Sequence, residues 1–289
     1  MAEFQPTPQV IPASNPLANY FRQPKIFVRL PSGGEFYPEG ALDVSATGEY
    51  PVYAMTAKDE LMFKTPDALL NGQATVEVIK SCIPAIKDPW KMPSLDVDAA
   101  LIAIRVATYG QNMDVSATCP SCNFENDYTF DLVSYLGQLS NFHFESVLTV
   151  GPLKIKIRPY NYFETTKASI KAIEQRRIFD IVNDEDIDDE EKLQKFSSSF
   201  IKLTELTVDV ISGCIVSIET PEGTVTDGKM IDEFINNASS DVFNSINDHV
   251  SNMKNDMDLK LQHVHCQECN HEYDVNLTVD QSNFFGVRS

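Results

Sequence analysis

Two CxxC pairs, Cys119/Cys122 and Cys266/Cys269, constrain this chain more than any other feature. A CxxC turn aims two thiolates at one point, and two such turns complete a tetrahedral sulfur site. Here 143 residues separate Cys122 from Cys266, far more than the ~15–20 usual between the halves of a zinc ribbon. Yet the two surroundings match. Cys119-Pro120-Ser121-Cys122 continues as Asn123-Phe124-Glu125, and Cys266-Gln267-Glu268-Cys269 continues as Asn270-His271-Glu272. Each pair lies between strand-like stretches. This pattern predicts an α+β fold in which Cys119, Cys122, Cys266 and Cys269 meet in a split zinc-ribbon-like unit. Four thiolates leave no open coordination position, so the zinc expected there is structural. Its sulfur atoms should lie within about 4 Å of one another, given ~2.3 Å zinc–sulfur bonds.

Other uses of these residues fit less well. A redox dithiol normally follows a strand and opens a helix, whereas each pair here has strands on both sides. Of the histidines, His263, His265 and His271 crowd the second pair. If the pairs stayed apart, these would complete two separate sites. The solitary Cys82 and Cys214 sit inside apolar runs and read as small buried hydrophobes.

Composition narrows the function. Asp and Glu number 42 against 23 Lys and Arg, a formal charge of −19. Phosphate binding rests on Lys and Arg, so nucleic acid is not an expected partner, and neither is an anionic membrane. No stretch approaches the ~20 apolar residues of a membrane span, and the N-terminus carries no secretory signal. Without export, CxxC pairs read as metal ligands before disulfides. No HExxH, GxSxG, GxxxxGK or GxGxxG occurs, so no catalytic or cofactor-binding residue is nominated and an enzyme is not expected. The acidic run Asn183-Asp184-Glu185-Asp186 lacks the glycine and distal glutamate of a calcium loop and reads as a solvated turn.

Along the chain, residues 1–24 hold five prolines and form an extended arm, with Leu17, Tyr20 and Phe21 as possible anchors. Residues 25–159 make an N-terminal α+β domain containing the first knuckle. It includes a strand at 25–30, a second at 50–55, and a helix opened by the capping box Thr56/Asp59 and running to about Leu70 with an interruption at Pro66. A helix at 73–82 precedes a Pro-rich surface loop at 84–93 carrying Trp90. Leu95–Tyr109 reads as an amphipathic helix, and 146–159 as a hairpin. Residues 160–255 form a largely helical insertion with helices near 161–182, 187–212, 228–237 and 240–255 and a hairpin at 215–226. Residues 256–289 carry the second knuckle and the terminal Phe284-Phe285.

The segments Asn15–Pro24, Leu30–Pro38, Tyr53–Glu60, Lys64–Gly72 and Asp98–Gly110, with the first knuckle, resemble the baseplate hub and hub-assembly protein family of T-even-like contractile-tailed bacteriophages. The second knuckle and Asn283-Phe284-Phe285-Gly286 are similar to the family's closing segment, while about 160–255 is not placed on its pattern. The resemblance implies a non-enzymatic baseplate component or assembly factor, located in the virion tail or in the host cytoplasm during assembly. Its partners would be other hub or wedge proteins. The alternative from the cysteines alone is a zinc-ribbon adaptor binding another protein or, with this charge, less readily nucleic acid.

Overall fold

A computed structural model describes residues 17, 20–64, 72–140, 145–167, 169, 189–257 and 262–275. The acidic turn at 183–186, most of the helix expected at 161–182, the stretch to Leu70 and the terminal phenylalanines lie outside these residues.

Among the described residues the first strand is β1 (Pro24–Arg29), paired antiparallel with β2 (Glu49–Tyr53). Val28 and Leu30 point inward and Phe27 outward, as the alternation of β-strand side chains requires. Helix α1 (Ala57–Phe63) starts at the expected reciprocal cap, with the Thr56 and Asp59 side chains each accepting from the other's backbone N–H. Then come α2 (Gln73–Cys82), a single 3₁₀ turn at Pro89–Lys91, and α3 (Ser94–Tyr109).

Two expectations need correction here. Helix α3 is not amphipathic but central. Leu95–Val97, Ala99–Ile104, Val106 and Ala107 are all buried, because β1, β2, α2 and the later helix Leu132–Leu139 surround it. The Pro-rich segment 84–93 is likewise not merely surface loop. Ile86, Pro89, Met92 and Pro93 are buried, and Trp90 stacks on Tyr162 at 5.5 Å. This packing is tight. Gly72 holds φ +77, and a β-carbon there would stand 3.0 Å from the Trp90 ring.

Strands β3 (Asn112–Thr118) and β4 (Glu125–Asp131) form the first knuckle hairpin, and Asp131 then caps α4 (Leu132–Leu139), a helix the sequence did not announce. Leu132 and Tyr135 complete a first core around α3.

A second core lies further along. Strands β5 (Val147–Val150), β6 (Leu153–Ile157), β7 (Ile215–Thr220) and β8 (Gly223–Val225) form one antiparallel sheet in chain order. A helical stretch at 162–167 and the long α5 (Asp189–Gly213) lie between β6 and β7. Helices α6 (Gly228–Asn237) and α7 (Ser240–Met257) pack with α5 over the sheet, burying Ile155, Ile157, Ile211, Ile218, Ile231, Ile246 and Val250. Pairing of β6 with β7 therefore crosses the division expected at 159/160. The chain returns through β9 (Gln262–His265) and β10 (Glu272–Val275), an antiparallel pair around the second knuckle. Among the described residues, no helix is long and apolar enough to cross a membrane.

Candidate metal centre

Each knuckle is built by the same backbone hydrogen bonds. In the first, Cys119 N–H donates to Phe124 O at 2.9 Å, and Asn123 N–H to Cys119 O at 2.9 Å. In the second, Cys266 N–H donates to His271 O at 2.9 Å, and Asn270 N–H to Cys266 O at 3.0 Å. The turn closes only if the residue after the second cysteine adopts the left-handed region. Asn123 and Asn270 do so, at φ 59° and 58°. Asparagine tolerates this conformation better than other side-chain-bearing residues, which explains the asparagine shared by both sequences.

The two knuckles meet. The four cysteine sulfurs lie within 4.8 Å of one another, and they are the one such group of possible metal ligands among the described residues. Sγ of Cys119 stands 3.7 Å from that of Cys269, and Sγ of Cys122 stands 3.6 Å from that of Cys266. These two edges match a tetrahedron with ~2.3 Å metal–sulfur bonds, though the outer bound is wider than the expected 4 Å. Cys119 and Cys266 are buried, whereas Cys122 and Cys269 face solvent. No histidine joins the group. His263 pairs with Asp274, His265 lies 3.7 Å from Glu272, and His271 stacks on Tyr273.

Side chains from one half hold the other. Asn126, wholly buried on β4, accepts the backbone N–H of Gln267 at 2.8 Å. Its amide reaches Phe124 O at 3.1 Å, Tyr273 Oη at 3.2 Å and Cys266 Sγ at 3.6 Å. Tyr128 Oη donates to His265 O at 2.9 Å, and Tyr273 Oη to Ala117 O at 3.3 Å. Sequence reasoning passed over these residues. The available signal was parity, since Asn126, Tyr128 and Phe130 share the inward face of β4.

The clustered thiols perturb one another's ionisation. At Cys266 burial opposes the thiolate. The backbone N–H groups of Cys269 and Glu268, with the Cys122 thiol and the Asn126 amide, overcome that and bring its pKa down to about 6. At Cys122 the Phe124 N–H favours the thiolate. Loss of water and the thiols of Cys269, Cys266 and Cys119 outweigh it and push the pKa up to about 12. Ionisation is thus favoured at Cys266 and opposed at Cys122. The donor set suits zinc, whose ligands are thiolates in closed tetrahedral sites.

Cys82 and Cys214 take the places expected of them, each buried in one of the two cores. Burial pushes their pKa values to about 11 and about 12, so neither is a reactive thiolate at neutral pH.

A second polar constellation was also missed. Asp96 lies in the first turn of α3, where a carboxylate complements the helix dipole. It is fully buried and accepts from Ser32 N–H at 2.8 Å, Ser32 Oγ at 2.5 Å and Tyr37 Oη at 2.8 Å. These bonds clamp the turn at 31–36, in which Phe36 is held at φ 68°. Burial raises the Asp96 pKa to about 6 against the lowering effect of the same hydrogen bonds.

No curated protein and no solved structure matches the chain. The family model for the T4 bacteriophage base plate protein does match, over residues 24–286, and so runs through the middle region that the resemblance had left unplaced. With a match of that extent, the chain belongs to the T4 bacteriophage base plate protein family.

Proposed function

We propose that this baseplate protein serves the hub, as a subunit or as a factor in its assembly, and acts through protein–protein contacts rather than catalysis. In this reading Cys119, Cys122, Cys266 and Cys269 hold a structural zinc. The observation that carries it is the meeting of two knuckles 143 residues apart in sequence, with sulfur–sulfur edges of 3.6 and 3.7 Å. A closed four-sulfur site has no position for substrate, so its contribution is to the fold. It ties β3 and β4, which lead into the first core, to the strands that follow the second core.

The same reading organises the chain. The arm to residue 24 and the last residues supply contacts, the first core carries one knuckle, and the helical region is inserted between the two halves of the ribbon. Partners are other hub or wedge proteins. Membership of the baseplate family and the exposure of Leu17, Tyr20 and Phe21 support this assignment.

Two measurements test it. Elemental analysis of the purified protein should find one zinc per chain, and a metal-free folded protein would overturn the zinc. Mass spectrometry of purified virions separates the hub roles. Stoichiometric presence identifies a subunit, and presence only in infected-cell lysate identifies an assembly factor. Recovery with peripheral baseplate parts that lack the hub would overturn both.

A further inference from the structure

An open groove of about 700 Å³ is lined by the turn Gly34–Pro38, by Lys91, and by Lys156, Arg158, Asn161, Val216 and Ile215, the last a member of the second core. In a chain of net charge −19, three cations on one groove stand out. Lys91 and Lys156 are exposed, with Lys91 Nζ 5.8 Å from the Phe163 ring. Arg158 is anchored by Glu164 at 2.6 Å, and Glu35 is the acidic residue on the lining. The rim is shaped by the turn clamped on Asp96, and Phe36 on that rim is held in the left-handed region. Such backbone strain persists only where the surroundings enforce it and concentrates at functional sites.

The chain also carries the complement of this groove. Seven of the eight residues 184–191 are acidic. Geometry keeps that run from its own groove. The Arg158 backbone N–H donates to Cys214 O at 2.8 Å, so the groove lies at the C-terminal end of α5. Asp189 begins α5, whose 25 residues at 1.5 Å each place it roughly 36 Å away. Even fully extended, Asp186 lies within about 11 Å of Asp189 and Asp184 within about 18 Å. Both fall well short.

We infer that the groove receives the acidic run of a second copy of this chain, in a head-to-tail contact between copies. Complementary charge fixes the register of such a contact more than its raw strength. A head-to-tail contact closes into a ring or continues as a chain of subunits.

Light scattering of the full-length protein, measured at about 0.15 M salt where screening acts beyond ~8 Å, tests this. The wild type should show a mass that rises with concentration above 32.4 kDa. The variants K91E/K156E and D184K/E185K/D186K should each stay at the monomer mass, and an equimolar mixture of the two should recover association. A K156Q variant, which makes the smaller change, should shift the association midpoint upward about tenfold with an unaltered melting curve. A wild type that remains monomeric, variants that associate like it, or a mixture that fails to associate would each overturn the inference.

Discussion

The side-chain oxygen of Asn126 accepts the backbone N–H of Gln267 at 2.8 Å, joining strand β4 to the second cysteine turn across 141 positions of sequence. Replacing Asn126 by Ala leaves that N–H without its acceptor and removes the amide donor from Tyr273 Oη, which keeps its bonds to Tyr128 Oη and Ala117 O. A buried unsatisfied group costs about 1–3 kcal/mol. N126A should therefore lower the urea midpoint and speed zinc loss to a chelator, and N126D, which adds charge beside thiolates, should do worse. Unchanged values for N126A would show that the stitch contributes nothing.

If the four thiolates bind zinc, binding energy is folding energy, which reaches ~10 kcal/mol or more in isolated zinc modules. Cys266→Ser should lose the metal and broaden the melting transition. Cys82→Ala, 0% exposed in the first core, should lower the melting temperature while keeping a full zinc complement. Calorimetry with elemental analysis of both variants checks this. An identical transition in metal-free wild-type protein would rule out a structural metal.

Asp96 makes acid stabilising over a defined window. Its pKa is raised from 3.8 to about 6 in the folded protein, so the folded state binds this proton more tightly than the unfolded one. The resulting stability is fully present below about pH 4 and is lost as pH rises through 6. Asp96→Asn should remove that dependence. Between pH 4.5 and 7.5 the difference in unfolding free energy between wild type and variant should change by on the order of 2 kcal/mol. Parallel pH profiles would contradict the assignment.

The arm is held at its root by Arg22. Its guanidinium donates to Ala54 O at 2.6 Å and to Ser81 O and Oγ at 2.5 and 2.8 Å, and lies 3.6 Å from Asp59. Tyr20 and Phe21, just before it, are exposed. Arg22→Ala should cost roughly 1.5–3 kcal/mol, the range for hydrogen bonds to charged groups. Deleting residues 1–20 should leave stability intact and block incorporation into baseplates. A truncated protein that still assembles would remove the arm from the list of contacts.

Much of this protein is determined by local sequence alone. The Thr56/Asp59 cap, the alternation in β1, the hairpins at Gly151 and Gly223, and both cysteine turns depend on residues a few positions apart. In each knuckle, four residues and one left-handed asparagine suffice to point two sulfurs the same way. That the two knuckles face each other was legible from their matched sequences. What holds them together was not, because Asn126, Tyr128 and Tyr273 act only once β4 and β10 are neighbours. Tertiary packing also decided the character of α3. Its helical spacing suggested one apolar face, but small residues such as Ala99, Ala100 and Ala103 let strands and helices approach from every side. Asp96 shows the same division most sharply. Its place in a first helical turn predicts a carboxylate beside a dipole. Only burial against Ser32 and Tyr37, nearly sixty residues away and more, turns it into a clamp with a displaced pKa.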